Sequence, residues 1–235
     1  MKDEKSLPAG RQAVVLLSGG LDSATALYLA KNSGFKCFCL IFDYGQRHRK
    51  EISSAKEIAK AAGSSYKILK INLPWKGSAL LDKKVKVPKP VNSSTRKPAN
   101  LIPVTYVPGR NIIFLSFALS YAEAIKAKAI FIGAHCQDYS GYPDCRPQFY
   151  RAFYRVSQTG TRAGSENHPV KIISPLINKT KAQIIKLGQR LKVPFKLTWS
   201  CYRGLRHPCG KCDSCKFRIK GFKEAGIKDP AIYES

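Results

Sequence analysis

The sequence contains no long apolar run. None of its stretches approaches the roughly 18 consecutive apolar residues that a membrane-spanning helix needs. The N-terminal segment, MKDEKSLPAGRQ, is polar and does not contain the apolar stretch of a secretory signal peptide. We therefore expect a cytoplasmic protein that has no membrane partner.

Acidic residues are scarce. The chain has 15 Asp and Glu residues against 41 Lys and Arg residues, which gives a formal net charge of +26. Such a charge is compatible with a nucleic-acid partner that is held through its phosphates. It is equally compatible with a lysine-rich surface around a site for small anionic substrates. The basic residues are scattered along the chain and form no long run, which favours the second interpretation.

The lysine-bearing phosphate loop of phosphoryl-transfer enzymes is missing as well, because no Gly-Lys-Ser/Thr follows the first predicted strand. The sequence there is SGGLDS, residues 18–23. Its two glycines allow a sharp turn and a close approach of phosphate to backbone N–H groups. The helix that begins near Asp22 adds the positive end of its dipole. Ser18 and Ser23 can donate hydroxyls to phosphate, and Asp22 either ligates Mg²⁺ or orders the loop.

Strands and helices alternate along most of the chain. This alternation predicts an α/β fold, a doubly wound parallel sheet with helices on both faces. Residues 73–108 contain six prolines and little periodicity, which predicts a long loop. We expect an ATP-binding α/β domain over 1–195 and a C-terminal metal-binding region over 196–235. The predicted strands are 12–17, 36–42, 66–71, 129–132 and 171–173, and the predicted helices are 22–31, 49–62, 111–126, 148–156 and 179–191, with a short final helix.

Half of the eight cysteines lie within fifteen residues of one another near the C-terminus. Their CxxC spacings let a tight turn present two thiolates to one tetrahedral metal ion, and the earliest cysteine completes the set. This pattern predicts one structural zinc ion, because four thiolates leave no open position for water. An iron–sulfur cluster is the main alternative, and a simple redox pair does not use four cysteines. The predicted ligands are Cys201, Cys209, Cys212 and Cys215.

Three polar loops follow predicted strands or open a helix at the carboxyl edge of the sheet, where open α/β sheets bind ligands. Their aromatic rings can stack on a flat heterocycle, their carboxylates can accept hydrogen bonds from ring N–H groups, and their arginines can neutralise a carboxylate or phosphate. His48 and His135 are possible general bases. The residues predicted to bind the substrate are Arg110, Asn111, Tyr139, Tyr142, Asp144 and Phe149. The residues predicted to be catalytic are Asp22, Arg110, Asp138 and Arg146. The residues predicted to bind the nucleotide are Leu17, Ser18, Gly19, Gly20, Leu21, Asp22, Ser23, Ala24, Thr25, Asp43, Tyr44 and Gln46.

SGGLDS after a strand resembles the loop of the ATP pyrophosphatase, or adenine nucleotide α-hydrolase-like, superfamily. Together with FDYGQRH, VPGRN, DYSGYPDCRPQF and CYRGLRHPCGKCDSC in this order, it makes nearly the whole chain resemble the 7-cyano-7-deazaguanine synthases. The resemblance implies a homodimeric ligase that uses ATP with Mg²⁺ and converts 7-carboxy-7-deazaguanine and ammonia to the nitrile. It also implies that Arg110 and Arg146 bind the carboxylate or α-phosphate, and that Tyr139, Tyr142 and Asp144 bind the deazaguanine ring.

Two other functions remain open at this point. An RNA-modifying member of the same superfamily, such as a tRNA thiolase or lysidine synthase, would suit the +26 charge. We expect no appended RNA-binding domain, however, and the long motifs match the small-molecule enzyme. A zinc-bearing nucleic-acid-binding module would not need an intact SGGLDS loop, so ATP turnover separates it from an enzyme.

Overall fold

The computed structural model describes residues 11–46, 49–75, 78–81, 102, 104–135, 142–203 and 206–234. Its five strands form one sheet in the order β3-β2-β1-β4-β5, and every pair of neighbours is parallel. Strands β2 and β3 lie on one side of β1, and β4 and β5 lie on the other, so the direction of winding reverses between β1 and β4. The strands are β1 (Gln12–Leu16), β2 (Lys36–Asp43), β3 (Ser65–Lys70), β4 (Ala129–Phe131) and β5 (Lys171–Ile173).

Helices connect the strands close to where the sequence predicts them. The exceptions are one short helix, α5, and two single 3-10 turns at Pro143–Cys145 and Phe195–Leu197, which are too short to produce a periodic pattern. The last helix has 13 residues and is longer than predicted. The helices are α1 (Leu21–Asn32), α2 (Lys50–Ala61), α3 (Arg110–Ala124), α4 (Pro147–Thr159), α5 (Arg162–Ser165), α6 (Lys181–Arg190) and α7 (Asp213–Ala225).

The sheet separates two hydrophobic cores. Alternate residues of β1 point to opposite faces, with Ala13 and Val15 in one core and Val14 and Leu16 in the other. The first core also contains buried side chains of α1, α2, α6 and α7, and the second contains those of α3 and α4. The prediction of a parallel sheet covered by helices on both faces is therefore confirmed.

The C-terminal region is held to the sheet layer through α7, which lies against α6. Arg218 of α7 is 3 % exposed and donates to both carboxylate oxygens of Asp229 at 2.9–3.2 Å. It also donates to the carbonyl oxygens of Phe195 and Thr198, each at 3.2 Å. One buried guanidinium thus joins three separate pieces of chain. The boundary between residues 195 and 196 remains a prediction.

Most of the predicted loop at 73–108 lies outside the described residues. Its described parts place Leu73 and Val107 in the second core and bury Ala79. Over the residues that the structure describes, none of the helices combines the length and the apolarity that crossing a membrane requires.

Candidate functional site

Residues 17–20 form a tight turn between β1 and α1, and the last three residues of SGGLDS form the first turn of α1. The Ser23 hydroxyl donates to the Gly20 carbonyl oxygen (3.0 Å) and accepts from the Ser18 backbone N–H (3.2 Å). The two serine hydroxyls lie 3.0 Å apart, and the Ser18 hydroxyl also accepts from the Gly20 N–H (3.3 Å). The serines therefore stabilise the turn itself, and α1 begins directly after it with its N-terminal N–H groups at the carboxyl edge of the sheet.

Two glycines let other elements approach this turn closely. Gly19 has φ +84°, and a Cβ atom built on it would lie only 2.2 Å from the Glu51 carbonyl oxygen of α2. A Cβ atom at Gly133, which follows β4, would lie 2.7 Å from the Ser23 backbone nitrogen. Side chains at either position would push the neighbouring backbone away. The loop is thus fixed between α2 and the end of β4.

Asp22, in the first turn of α1, belongs to a buried polar cluster. Its two carboxylate oxygens accept from the Lys181 ammonium at 2.8 and 2.7 Å. His135 Nε2 lies 3.0 Å from Lys181 Nζ and 3.6 Å from Asp22 Oδ2. Burial by itself would raise the pKa of Asp22, but the charges of Lys181 and His135 lower it below its ordinary value, so Asp22 is ionised at neutral pH.

A cavity of about 290 Å³ opens at the carboxyl edge, above the reversal between β1 and β4. Its walls come from the loop, the ends of β2 and β4, the start of α3 and the C-terminal region. The predicted site residues that line it are Leu17, Ser18, Gly20, Asp22, Ser23, Tyr44, Gln46, Arg110, Asn111 and Tyr142.

Arg110, the first residue of α3, is directed into this cavity by Tyr44. Its Nη1 donates to the Tyr44 hydroxyl (3.2 Å), and its guanidinium lies 5.8 Å from the centre of the Tyr44 ring. Tyr44 is itself held by Gln46, whose Oε1 accepts from the Tyr44 N–H (2.9 Å) while its Nε2 donates to the Phe42 carbonyl (3.1 Å). The hydrogen bonds within FDYGQ therefore hold Tyr44 in place, and Tyr44 positions the Arg110 guanidinium at the cavity wall.

Asn111 joins α3 to the loop that precedes α4. Its side-chain amide donates to the Asp144 carbonyl (3.1 Å), and its backbone N–H donates to the Asp144 carboxylate (3.2 Å). Tyr142 lies on the same wall, with its hydroxyl 2.6 Å from the Thr105 hydroxyl oxygen. Asp144 is buried, and burial raises the pKa of its carboxyl group. It caps the start of α3 and is not among the residues that line the cavity.

Several other predicted residues lie away from the cavity. Leu21, Ala24 and Thr25 are buried in α1, where the Thr25 hydroxyl donates to the Leu21 carbonyl (2.8 Å). Asp43 pairs with Arg49 (3.1 Å). Phe149 packs against Tyr150 and Phe153. Together with Gly19, Arg146 and His135, these residues do not appear among those that line the cavity.

Three candidates, His48, Asp138 and Tyr139, lie outside the described residues. Other residues at the site were not predicted from the sequence. Glu51 of α2 lines the cavity, and burial raises the pKa of its carboxyl group to about 7, an effect that Arg110 partly opposes and Cys201 increases. Tyr202 lines the cavity from the C-terminal region. Glu51 lies only three residues beyond FDYGQRH, but no local pattern indicates that its side chain points into the site.

The four C-terminal cysteines come together as predicted. All are buried, and their sulfur atoms lie within 4.8 Å of one another. Backbone N–H groups of Arg203 and Cys209 donate to Cys201 Sγ, and those of Lys211 and Cys212 donate to Cys209 Sγ, at 3.3–3.4 Å. With Zn–S bonds of about 2.3 Å, a tetrahedral site brings sulfurs to within about 4 Å of one another, so the cluster is compact enough to hold a metal ion.

Comparisons with known proteins identify the family. The family model described as "Queuosine biosynthesis protein QueC" matches residues 12–226. The chain is 51 % identical to the 7-cyano-7-deazaguanine synthase of Nostoc punctiforme over 224 residues, which covers 94 % of this chain and 99 % of the relative. It is 54 % identical to the enzyme of the same name from Acetivibrio thermocellus, covering 95 % and 98 %.

A solved structure supports the fold. The NMN synthetase of Francisella tularensis superposes with a TM-score of 0.50 at 17 % identity, covering 94 % of this chain and 79 % of that one. At this identity the likeness concerns the fold alone. It agrees with the predicted parallel sheet that is covered by helices on both faces.

Replacing Gly19 with alanine tests how closely the loop is packed. We expect Gly19→Ala to lower the free energy of unfolding by roughly 3 kcal/mol, because a positive φ costs about 1–2 kcal/mol and the clash with α2 adds to it. Gly226→Ala is the matched control, since Gly226 has φ +70° and nothing within 4 Å of its Cβ position. Urea unfolding measures both variants. Equal losses in the two would contradict a close contact at Gly19.

Proposed function

The chain belongs to the QueC family of queuosine biosynthesis proteins, and we propose that it is an ATP-dependent ligase that converts 7-carboxy-7-deazaguanine and ammonia to 7-cyano-7-deazaguanine. The full-length identity of about 50 % to enzymes named 7-cyano-7-deazaguanine synthase supports this activity. The single structural observation that carries it is the cavity in which the SGGLDS loop faces Arg110, Asn111 and Tyr142.

The reaction needs activation because a carboxylate is a poor electrophile. Transfer of the adenylyl group of ATP to a carboxylate oxygen releases pyrophosphate and makes AMP the leaving group. Ammonia then attacks the acyl carbon, loses one proton and displaces AMP, which gives the amide. A second adenylation of the amide oxygen allows the C–O bond to break, and loss of the remaining N–H protons leaves the nitrile.

The residues around the cavity suggest a division of roles. The backbone N–H groups of the loop and the dipole of α1 bind the polyphosphate. Arg110 neutralises the substrate carboxylate or the α-phosphate, and the Tyr142 ring binds the heterocycle. Mg²⁺, bound with the nucleotide, would supply positive charge that offsets the phosphates. Asp22 is the residue that would hold it, because its carboxylate lies at the cavity wall and has lone pairs beyond those used by Lys181.

Glu51 is our candidate for the group that takes up the proton of ammonia. It lies on the cavity wall in α2, the helix whose backbone packs against the loop, and it is the cavity-lining carboxylate besides Asp22 among the described residues. With a pKa of about 7, it accepts protons readily at neutral pH. Asp138, Tyr139 and Arg146 remain proposed contacts for the substrate on the strength of the resemblance alone.

The four cysteines hold a zinc ion in this proposal. Four thiolates suit zinc, and they saturate its coordination, so the ion stabilises the C-terminal region and takes no part in catalysis. Tyr202 links the region to the cavity directly.

The protein also acts as a cytoplasmic homodimer in this proposal. The resemblance suggests the dimer, and α3 and α4 leave Ile112, Phe117 and Val156 between 41 % and 50 % exposed. Light scattering on the purified protein gives its mass in solution, and a monomer at micromolar concentration would contradict the dimer. The basic surface does not require nucleic acid, because the substrates are themselves anionic.

The activity is tested by incubating the protein with 7-carboxy-7-deazaguanine, ammonium, Mg²⁺ and ATP. We expect mass spectrometry to show the nitrile together with AMP. ADP in place of AMP would contradict cleavage at the α-phosphate. Neither product, from a folded and metal-loaded sample, would contradict the assignment and leave RNA substrates to be tested.

Replacing a predicted ligand tests the zinc site. Cys212→Ser should lose close to one equivalent of zinc and lower the melting temperature by roughly 10 °C or more, because metal binding contributes directly to folding. Cys37→Ser is the control, since Cys37 is a buried core cysteine outside the cluster. Elemental analysis and calorimetry give the two readouts. Iron in place of zinc in the wild-type protein would establish the iron–sulfur alternative.

Glu51→Gln separates activation from ligation. The variant should still exchange labelled pyrophosphate into ATP in the presence of the acid, while amide formation slows at least about 100-fold. Because the pKa of Glu51 is raised to about 7, the wild-type ligation rate should fall below that pH, and the variant should lack this dependence. Glu57→Gln, on the exposed side of α2, is the control. An unchanged amide rate in Glu51→Gln would rule out this role.

A further inference from the structure

Lys181 lies outside the cavity but bonds to a residue that lines it. It is the first residue of α6, and its side chain is only 13 % exposed. Its ammonium contacts both oxygens of Asp22 and lies 3.0 Å from His135 Nε2. Asp22 lines the cavity, whereas Lys181 does not appear among the lining residues. Lys181 therefore contacts Asp22 from the side that faces away from the cavity.

A glycine of the last helix leaves room for this lysine. A Cβ atom at Gly221 of α7 would lie 2.3 Å from Lys181 Cγ and 3.0 Å from Lys181 Cβ. Gly221 does not have a positive φ, so the helix itself does not require glycine here. Glycine costs about 1 kcal/mol relative to alanine inside a helix. The need for space beside the Lys181 side chain is the local feature that accounts for a glycine at position 221.

The Asp22 carboxylate needs both a fixed direction and a partner for its charge. It lies beside the N-terminus of α1, where the polyphosphate is expected to bind, so it can hold Mg²⁺ only if its oxygens face the cavity, and without a cation beside it the carboxylate would repel the phosphates. Lys181 offsets this charge and fixes the direction of the carboxylate. The backbone N–H groups of the loop then present a positive potential to the phosphates.

We propose that Lys181 is a positioning residue for the nucleotide site, that it acts through Asp22, and that Gly221 sets its position. This inference rests on the proposed function, because it takes ATP as the ligand of the loop. It makes α7, the helix that contains Cys215, part of the machinery for ATP binding.

The first test is a double-mutant cycle on Lys181 and Gly221. We expect Lys181→Met to raise the Kd of a non-hydrolysable ATP analogue with Mg²⁺ about tenfold, and Gly221→Ala to raise it several-fold. Methionine keeps the aliphatic part of the lysine, so the clash with the methyl group added by Gly221→Ala persists in the double variant. Gly221→Ala should therefore still lower the melting temperature in the Lys181→Met background, but should raise the Kd no further.

Gly164→Ala is the control for a steric clash alone. A Cβ atom there would lie 2.3 Å from the Gln158 carbonyl oxygen, and Gly164 is in α5, outside the nucleotide site. We expect this variant to lose stability without a change in the Kd. An unchanged Kd in Gly221→Ala, or additive Kd effects in the cycle, would overturn the link between Gly221 and Lys181.

A second test asks whether Lys181 acts through Asp22. If Lys181 acts by holding the Asp22 carboxylate, Lys181→Met should raise the Kd no further once Asp22→Asn is present. A double variant that binds clearly more weakly than Asp22→Asn alone would show that Lys181 contacts the nucleotide itself, and would overturn the proposal. Wild-type protein that binds no ATP analogue would instead contradict the proposed function, so the two failures are distinguishable by isothermal titration.

Discussion

The structure depends on backbone contact at the turn between β1 and α1. Gly19 lets the α2 backbone approach on one side, and its carbonyl oxygen accepts from the Trp199 backbone N–H at 2.9 Å on the other. Gly133 brings the end of β4 against Ser23. Backbone groups held by backbone neighbours cannot adjust as flexible side chains do. The turn, the N-terminus of α1 and the floor of the cavity therefore form one rigid unit.

The C-terminal region belongs to this unit even though it follows the last strand. Trp199 contacts the loop through its backbone, and the Lys50 ammonium of α2 lies 4.8 Å from the centre of its ring. Arg218 stabilises the chain on either side of the cysteines by pairing with Asp229 and with the carbonyl of Thr198. Removing one member of such a buried pair leaves a charge without compensation and costs several kcal/mol. Damage to the cysteine cluster is thus expected to reach the nucleotide site.

Local patterns predicted most of the fold. The strand predicted at 36–42 ends one residue later in the structure, at Asp43, and the helix predicted at 22–31 begins one residue earlier, at Leu21. The errors are this small because hydrophobic runs and glycines mark the ends of these elements. The site was predicted where its residues are contiguous, as in SGGLDS. Lys181 is 159 residues from Asp22 in sequence, and no local pattern reports such a contact. Leu21, Ala24 and Thr25 lie within the motif region but face the core, since a motif does not show which side of a helix each residue occupies.

The net charge of +26 is not concentrated at the cavity. Among the described residues that line it, Arg110 is the basic side chain, while Asp22 and Glu51 are acidic. The walls by themselves would therefore repel ATP and a carboxylate substrate. In the proposed function, attraction at short range comes from Arg110, the loop N–H groups, the dipole of α1 and the Mg²⁺ that Asp22 would hold, while Lys181 offsets the charge of Asp22. The scattered lysines act from further away by raising the local concentration of anions, an effect that salt screens over about 8 Å at physiological ionic strength. Binding at the loop and attraction to the surface are thus separate contributions, and only the second should weaken steeply with salt.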